Sequence, residues 1–280
     1  MTASENKLAS GLSLDALIAP HRTAVMGILN LTPDSFSDGG RFVDPQVAIA
    51  HATEMVAEGA DIIDVGAEST RPYGGMQPVT AEIEQARLEP VLPALLGLGK
   101  PVSIDTMKAK VADWAIRQGA AIANDVWGLQ RDPDMARVVA DHGVPVIVMH
   151  NRNEADPAID IVDDMLAYFE RSIAIADAAG VHRAQIVIDP GIGFGKTPEQ
   201  SVIAVAQLAR LKCFGLPILI GLSRKRFISS IVPSEPMERL GGSIAGHLIA
   251  VQEGATIVRT HDVFETVQAL RVAEAIGRAK

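Results

Sequence analysis

Apolar, strand-like runs recur eight times along the chain, and each of them stops at polar residues that are able to bind a ligand. The endings are, in chain order, Asn30, Asp64 with Glu68, Asp105, Asn124 with Asp125, His150, Asp189, Ser223 with Lys225, and Arg259 with His261. In a parallel barrel of alternating strands and helices, all strand carboxyl ends open onto one face, which holds the active site. Eight such endings in series, rich in Asp, Asn, Arg and His, predict one shared site.

The segments between these runs show apolar residues at three- and four-residue spacing, which is typical of amphipathic helices. One of them is predicted to start after the N-cap residue Asp44, with Pro45 next, and the stretch over 80–99 is predicted to form one continuous helix. The runs themselves are almost continuously apolar and rich in Val and Ile, as parallel strands covered on both faces must be. The pattern predicts an α/β fold, a single-domain (β/α)8 TIM barrel over 23–280, after a partly disordered lead-in over 1–22. A doubly wound sheet is the alternative, but the Gly-rich fingerprint after its first strand is missing.

Length and charge agree with one catalytic domain. The chain has 280 residues, close to the ~250 of a typical (β/α)8 barrel. Its 34 acidic residues outnumber its 25 basic ones, which argues against a general affinity for nucleic acid or an anionic membrane. Cys213 is the single cysteine, so an internal disulfide is impossible and a reducing, cytoplasmic location is expected. No stretch reads as a signal peptide or a membrane span.

Two polar loops are candidates for mobile, ligand-covering segments. The loop over 30–42 contains Phe36 among polar residues. It is either an ordinary surface loop or a lid over a flat substrate. The second loop, "ESTRPYGG", places Arg71 between Thr70 and Pro72, where it either binds an anion or is a surface arginine stiffened by proline.

The segment "DPGIGFGKTPEQS", over 189–201, carries three alternate glycines. They predict either a phosphate cradle or a tight turn into a helix that starts near Pro198. The string Gly195-Lys196-Thr197 does not satisfy the Walker pattern, because Pro198 follows directly and the first glycine is misplaced.

The ends of strands seven and eight hold the densest basic cluster of this net-acidic chain: Ser223, Arg224, Lys225, Arg226, Arg259 and His261. Barrels of this type often bind phosphate there, beside a helix N-terminus. Solvated loop ends would explain one or two of these residues, but the set predicts an anion site.

The order and spacing of seven motifs resemble those of the dihydropteroate synthases, enzymes of the folate pathway. The motifs are "GILNLTPDSFSDGG", "DIIDVGAESTRP", "VSIDT", "NDV", "DPGIGFGK", "SRK" and "VRTHDV". The resemblance covers about 24–272. It implies a homodimer that condenses 6-hydroxymethyl-7,8-dihydropterin diphosphate with 4-aminobenzoate, with Mg2+ as cofactor and sulfonamides as competitors of aminobenzoate.

The resemblance also implies roles for particular residues. The pterin pocket falls on Asp105, Asn124, Asp189 and Lys225. The diphosphate site falls on Asn30, Thr70, Arg71, Arg259 and His261, with Asn30 also near Mg2+. The aminobenzoate site falls on Phe36, Ser69, Thr70, Pro72, Ser223 and Lys225. Asp105, Lys225, Arg259 and His261 are the expected catalytic residues.

Two departures from the family pattern concern the loops. Ala67 and Tyr73 stand where the family is expected to have glycine, and "MHNR" after strand five differs from the usual form, so no role follows for His150 or Arg152. Two other functions are compatible with part of the pattern. A methyltetrahydrofolate-binding methyltransferase has no use for the diphosphate cluster, and a non-catalytic pterin-binding barrel should have lost some of these polar residues.

Overall fold

The computed structural model describes residues 14, 22–32, 44–69 and 78–279. Eight parallel strands form one sheet, in the order β6-β5-β4-β3-β2-β1-β8-β7. The strands are β1 Ala24–Asn30, β2 Ile62–Gly66, β3 Val102–Asp105, β4 Ile122–Asp125, β5 Val146–Met149, β6 Ile186–Asp189, β7 Leu219–Gly221 and β8 Ile257–Thr260. A single parallel bridge, between Ile188 and Ile218, joins β6 to β7 and closes the barrel. The predicted (β/α)8 barrel is therefore confirmed.

Helices alternate with these strands through the described ranges. They are α1 Pro45–Ala57, α2 Ala81–Leu88, α3 Leu92–Leu96, α4 Ala109–Gln118, α5 Met135–His142, α6 Ile161–Ala179, α7 Pro198–Ala206, α8 Arg226–Ile231, α9 Leu240–Gln252 and α10 Val263–Arg278. Helices α2 and α3 occupy the stretch in which the sequence pattern predicts one continuous helix. The break falls around Pro90, which has no backbone N–H to donate and cannot continue a helix.

Local capping chemistry explains two helix starts that the sequence predicts. The side chain of Asp44 accepts a hydrogen bond from Gln46 N at 2.9 Å, and Pro45 follows it in the first turn of α1. Thr197 forms a reciprocal capping box with Gln200 at the start of α7, where Pro198 is the first helical residue. The segment after Asp189 is thus a turn into a helix that begins at Pro198.

The inside of the barrel has two layers along the strand direction. Near the amino ends of the strands lies an apolar cluster of Leu14, Ala24, Met26, Ile62, Ala121, Ile122, Ile147, Val187, Leu219 and Ile257. Side chains alternate between the two faces of a strand, so residues two apart share a face. Two positions beyond Ile62, Ile122, Val187 and Ile257 stand Asp64, Asn124, Asp189 and Arg259. The polar layer is therefore built directly above the apolar one.

The predicted boundary at residue 22 stays a prediction, although Leu14 from the lead-in is buried within the apolar cluster. In the part of the chain that the structure describes, no helix is both long and apolar enough to cross a membrane. Phe36, Thr70, Arg71 and Pro72 lie outside the described residues, so their predicted roles remain predictions.

Candidate active site

Strand register brings the predicted polar endings to one rim of the barrel. Asn30 at the end of β1 pairs with Gly66 of β2, and Gly66 pairs in turn with Asp105 of β3. Asp105 pairs with Asn124 of β4, and Asp189 of β6 pairs with Met149 of β5. Residues that are far apart in sequence are therefore neighbours because each ends a parallel strand.

Arg259 bridges two buried carboxylates at the centre of this rim. Its Nε donates to Asp64 Oδ2 at 2.6 Å, and its Nη2 donates to Asp105 Oδ2 at 2.7 Å. Asn124 Nδ2 contributes a further contact to Asp64, at 3.1 Å from Oδ2. One guanidinium thus neutralises much of the charge of two carboxylates that come from the neighbouring strands β2 and β3. Arg259 is predicted to bind diphosphate, and in this arrangement two of its nitrogens are engaged by Asp64 and by Asp105, a residue predicted to bind pterin.

The electrostatics of the rim favour proton uptake at Asp105. Burial raises its pKa to about 7, with Asp64 acting in the same direction and Arg259 opposing both. The second oxygen of this carboxylate, Oδ1, is buried and has no hydrogen-bond partner among the described residues. Burial lowers the pKa of Arg259, but the two carboxylates outweigh burial and raise it, so the guanidinium stays charged. Asp105 is therefore a buried acceptor with one oxygen available for a ligand.

Asp189 is the second buried acid of the rim. Its Oδ1 accepts a hydrogen bond from Gly191 N at 2.7 Å, which fixes the carboxylate against its own loop. Burial raises the pKa of Asp189, while the bond from Gly191 and the charge of Lys225 lower it. Lys225, at the N-cap of α8, places its Nζ 4.3 Å from the centre of the Phe194 ring. A flat ligand on this face would therefore meet a carboxylate, an ammonium group and an aromatic ring.

The ends of β7 and β8 are tied together by side-chain contacts. Ser223 Oγ lies 3.0 Å from His261 Nδ1 and accepts a hydrogen bond from His261 N at 3.2 Å. Arg224 has a left-handed backbone, with φ at 58°, and its guanidinium pairs with Asp262. The predicted basic cluster is therefore smaller than the sequence pattern indicates, because Arg224 serves a structural ion pair.

The remaining predicted residues fall on the same rim. Asn30 and Ser69 are half-buried beyond the ends of β1 and β2. Asn30, His261 and Lys225 follow three adjacent strands, β1, β8 and β7, whereas Asp105, Asn124 and Asp189 belong to β3, β4 and β6. The rim therefore has one side with cationic and amide side chains and another side with carboxylates. This division suits a substrate that carries an anionic group at one end and gains positive charge at the other.

Sequence reasoning gave no role to two residues of this site, although Asp64 is among the predicted polar strand endings. Asp64 is fully buried inside β2 and contacts both Asn124 and Arg259. A carboxylate two positions before a strand end, on the inward face, is the signal that identifies it. Lys196 is also fully buried, and its Nζ lies 2.7 Å from His150 Nδ1. A lysine that follows three alternate glycines carries no comparable signal, because its side-chain partner, His150, follows another strand.

Mg2+ in proteins keeps several waters and binds through one or two protein oxygens and substrate phosphates. Among residues 22–32, 44–69 and 78–279, no group of three or more His, Cys, Asp or Glu side chains could hold a metal ion. Asn30 supplies one amide oxygen at the rim. This set fits an ion that arrives with a diphosphate, and it does not fit one held by the protein alone.

Known proteins share both the sequence and the fold. A family model described as "Pterin binding enzyme" matches residues 26–261. The dihydropteroate synthase of Clostridium beijerinckii is 47% identical over 259 residues, which cover 92% of this chain and 95% of the relative. The dihydropteroate synthase of Clostridium difficile, solved in the presence of pteroic acid, superposes with a TM-score of 0.88 at 46% identity, covering 92% and 97% of the two chains. The Xanthomonas albilineans enzyme with 4-aminobenzoic acid gives 0.87 at 43%, covering 91% and 93%.

The chain therefore belongs to the pterin-binding enzymes. Within that family its relatives and structural neighbours are dihydropteroate synthases.

Proposed function

We propose that this chain condenses 6-hydroxymethyl-7,8-dihydropterin diphosphate with 4-aminobenzoate, which yields 7,8-dihydropteroate and diphosphate. The observation that carries the proposal is the buried polar layer of Asp64, Asp105, Asn124 and Arg259, with Asp189 and Lys225 on the same rim. Such a layer costs stability unless a ligand or a partner satisfies it. The two solved relatives contain pteroic acid, the oxidised form of the proposed product, and 4-aminobenzoic acid, the proposed second substrate.

The pterin ring would lie against the carboxylate side of the rim. Its aminopyrimidinone edge offers parallel N–H donors, and the carboxylate of Asp189 can accept them. Its carbonyl needs a donor, which Lys225 provides, and Asn124 can donate and accept on the remaining edge. Phe194, beneath the Lys225 ammonium, offers an aromatic surface beside the same pocket.

The bond from the pterin methylene carbon to the diphosphate oxygen would break first, so that diphosphate leaves with the electron pair and a pterin-methylene cation remains. The arylamine nitrogen would then form its bond to that carbon. The departing oxygen gains negative charge, and Arg259 and His261 are the proposed groups that stabilise it. The methylene gains positive charge, and the carboxylates of Asp105 and Asp189 provide the complementary negative field. The arylamine finally loses one proton to solvent or diphosphate. No protein nucleophile is needed, and the single cysteine, Cys213, is exposed.

Mg2+ is proposed as the cofactor, with Asn30 as its protein ligand beside the diphosphate. When bound, the ion would neutralise charge on the leaving group.

The methyltransferase alternative would use the carboxylate side of the rim alone. It gives no role to Asn30 and His261, which follow strands on the opposite side. The non-catalytic alternative would tolerate loss of the buried charges, yet Asp64, Asp105 and Arg259 form a complete ion-paired set.

We also propose a cytoplasmic homodimer. Exposed apolar side chains occur on the last part of the chain, around α8 to α10: Ile231, Val232, Met237, Ile249, Phe264, Val272 and Ile276. A second copy that covered such side chains would remove apolar area from water. Light scattering on the purified protein should give twice the monomer mass.

A turnover assay with both substrates, following diphosphate release, tests the proposed activity. Release that requires both 4-aminobenzoate and the pterin diphosphate supports it. Release without the arylamine, or none with both substrates present, contradicts it. Sulfonamides share the arylamine and the shape of 4-aminobenzoate, so their inhibition should ease as 4-aminobenzoate is raised. Inhibition that is insensitive to 4-aminobenzoate would place the arylamine site elsewhere.

A further inference from the structure

A chain of four polar groups, two fully buried and two half-buried, runs beside the pterin side of the rim and has no part in the chemistry described above. His150, just after β5, is fully buried, and its Nε2 lies 2.9 Å from Asp164 Oδ2 in α6. Its other ring nitrogen, Nδ1, lies 2.7 Å from Lys196 Nζ. Arg152 Nη1 donates to the second oxygen of Asp164 at 2.8 Å. The order is therefore Arg152, Asp164, His150, Lys196.

Burial lowers the pKa of Lys196 to about 7, and the charges of Asp189 and Asp164 oppose that shift. The acceptors around the amine favour its charged form. The Lys196 ammonium has three N–H donors and three acceptors around it: His150 Nδ1, Gly191 O at 2.9 Å and Phe194 O at 3.2 Å. His150 Nδ1 accepts, so its proton is on Nε2 and is donated to Asp164. Burial and the charge of Lys196 lower the pKa of His150 to about 4, which keeps the ring neutral. The groups from Asp164 to Lys196 then each have a partner of the correct type, whereas Arg152 Nε is buried without a hydrogen-bond partner among the described residues.

The carbonyls that Lys196 binds belong to the turn over 191–195, which we call the glycine turn. Gly191, Gly193 and Gly195 all have left-handed backbones, with φ of 61°, 82° and 54°. A Cβ on Gly191 would lie 2.0 Å from His150 O, and one on Gly195 would lie 2.4 Å from Arg152 Cβ. The glycine turn therefore packs closely against the backbone that follows β5. Lys196 links the two ends of the turn, because its ammonium binds the carbonyl oxygens of Gly191 and Phe194.

The glycine turn contacts the proposed pterin pocket in two places. Gly191 N donates to the carboxylate of Asp189, and the ring of Phe194 lies under the ammonium of Lys225. The same two residues, Gly191 and Phe194, give their carbonyl oxygens to Lys196. A shift of either carbonyl would therefore move the donor to Asp189 or the aromatic ring beside Lys225.

We propose that Lys196 is a positioning residue for the pterin substrate, oriented by His150 and Asp164. It holds the glycine turn in the conformation that aims Asp189 and Phe194 at the pterin ring. The inference deepens the proposed function and rests on it. It also gives His150 and Arg152, in the unusual "MHNR" segment, a definite place: they belong to the support of Lys196 and do not touch the substrate.

The first test replaces Lys196 with Met, which has similar length and no donor. Binding of 6-hydroxymethyl-7,8-dihydropterin diphosphate is measured by calorimetry, and the KM of each substrate is measured separately. We expect pterin affinity to fall on the order of 10-fold to 100-fold, as for small displacements of binding groups. The KM for 4-aminobenzoate should change less than about twofold on the same reasoning. Unchanged pterin affinity in a folded Lys196→Met variant overturns the proposal.

A pair of substitutions at His150 separates positioning from packing, and it serves even if Lys196→Met fails to fold. Gln can accept from Lys196 through its oxygen and donate to Asp164 through its nitrogen, whereas Leu can do neither. We expect His150→Gln to keep pterin affinity within about threefold of the wild type and His150→Leu to lose on the order of tenfold. Equal affinities for the two variants would show that only volume matters at this position and would reject the proposal.

Gln185→Leu provides the matched control. Gln185 is buried just before β6, at the end of that strand opposite Asp189, and its Nε2 donates to Val144 O at 2.8 Å. The substitution also leaves a buried carbonyl without its donor, so Tm should fall, but pterin affinity should not. A loss of pterin affinity in this control equal to that in Lys196→Met would mean that general destabilisation is the cause. Failure of the wild-type protein to bind the pterin diphosphate would instead refute the proposed function.

Discussion

The two layers inside the barrel are made by the same strands but differ in polarity and in the contacts that their side chains make. In the lower layer, Ile62, Ile122, Val187 and Ile257 pack with each other and exclude water. In the upper layer, two residues further along each strand, Asp64, Asn124, Asp189 and Arg259 form charged or polar contacts. A shift of two residues changes a stabilising core into a site. The barrel therefore separates stability from chemistry by position along the strands.

The upper layer carries a stability cost that the lower layer offsets. Removing charges from water is expensive even when they are paired, and Asp105 Oδ1 is buried without a partner among the described residues. The lower layer buries apolar area, which is the dominant favourable contribution to folding. If this division is correct, substitutions in the two layers should affect different measurements.

The largest effect should come from the lower layer and should appear only in stability. Ile147 is buried in the apolar cluster, and the residue two positions later, Met149, is not a predicted site residue. Ile147→Ala should lower the free energy of unfolding by about 2–5 kcal/mol, because it removes buried methyl groups and leaves a cavity. Urea unfolding measures this loss. Turnover per folded molecule should stay near the wild-type value, and a tenfold fall would show that the layers are not independent.

The next largest effect should come from Asp105 and should appear mainly in turnover. Asp105→Asn keeps the shape of the side chain and removes the charge that would stabilise a cationic pterin methylene. Turnover should fall on the order of 100-fold, as when one preorganised electrostatic contact is lost. The affinity for the pterin diphosphate should fall much less, because a ground-state pterin gains little from that charge. Comparable losses in turnover and affinity would instead make Asp105 a ring-binding group.

Asp189 should give a smaller effect, and it should appear in binding. Asp189→Asn places a donor against the N–H groups of the pterin, which leaves mismatched polar groups at a cost of roughly 1–3 kcal/mol. Calorimetry should show this loss for the pterin diphosphate, while the affinity for 4-aminobenzoate stays unchanged. If pterin binding is unaffected, Asp189 does not face the ring and the assignment of the carboxylate side is wrong.

The smallest effect should be a dependence of kcat/KM on pH, caused by the ionisation of Asp105 in the upper layer. Burial raises the pKa of Asp105 to about 7, so its catalytic, ionised form is lost as pH falls through that value. The kcat/KM should decrease roughly fivefold between pH 7 and pH 6, as the ionised fraction of a single group with this pKa does. Asp105→Asn should remove the inflection from its residual activity. A profile that keeps the inflection in this variant would assign it to another group.

The sequence allowed the strands and the rim to be predicted because both depend on local patterns. Apolar runs with polar endings predict strands and their carboxyl ends, and Asp44 and Pro198 predict helix starts; the structure confirms these elements. The contacts within the rim could not be predicted in the same way. Arg259 contacts Asp64 and Asp105, which precede it by 195 and 154 positions in the sequence. No local pattern indicates which of several carboxylates an arginine will contact.

Two failures have local physical reasons. The stretch over 80–99 was predicted as one helix because apolar spacing continues through it, but Pro90 cannot supply the N–H that continuation needs. Arg224 was predicted in the anion site because it stands between Ser223 and Lys225. Its left-handed backbone and its ion pair with Asp262 direct its guanidinium to a structural contact.

The barrel is closed at its weakest point by the single bridge between Ile188 and Ile218. Asp189 ends β6 on one side of this junction, and Ser223 and Lys225 follow β7 on the other. A pterin bound by both Asp189 and Lys225 would therefore link β6 to β7. Ligand that binds only the closed barrel adds RT ln(1 + [L]/Kd) to its stability. Backbone amides of β6 and β7 should therefore exchange their hydrogens for deuterium more slowly when the pocket is filled, so that the substrate completes the sheet that binds it.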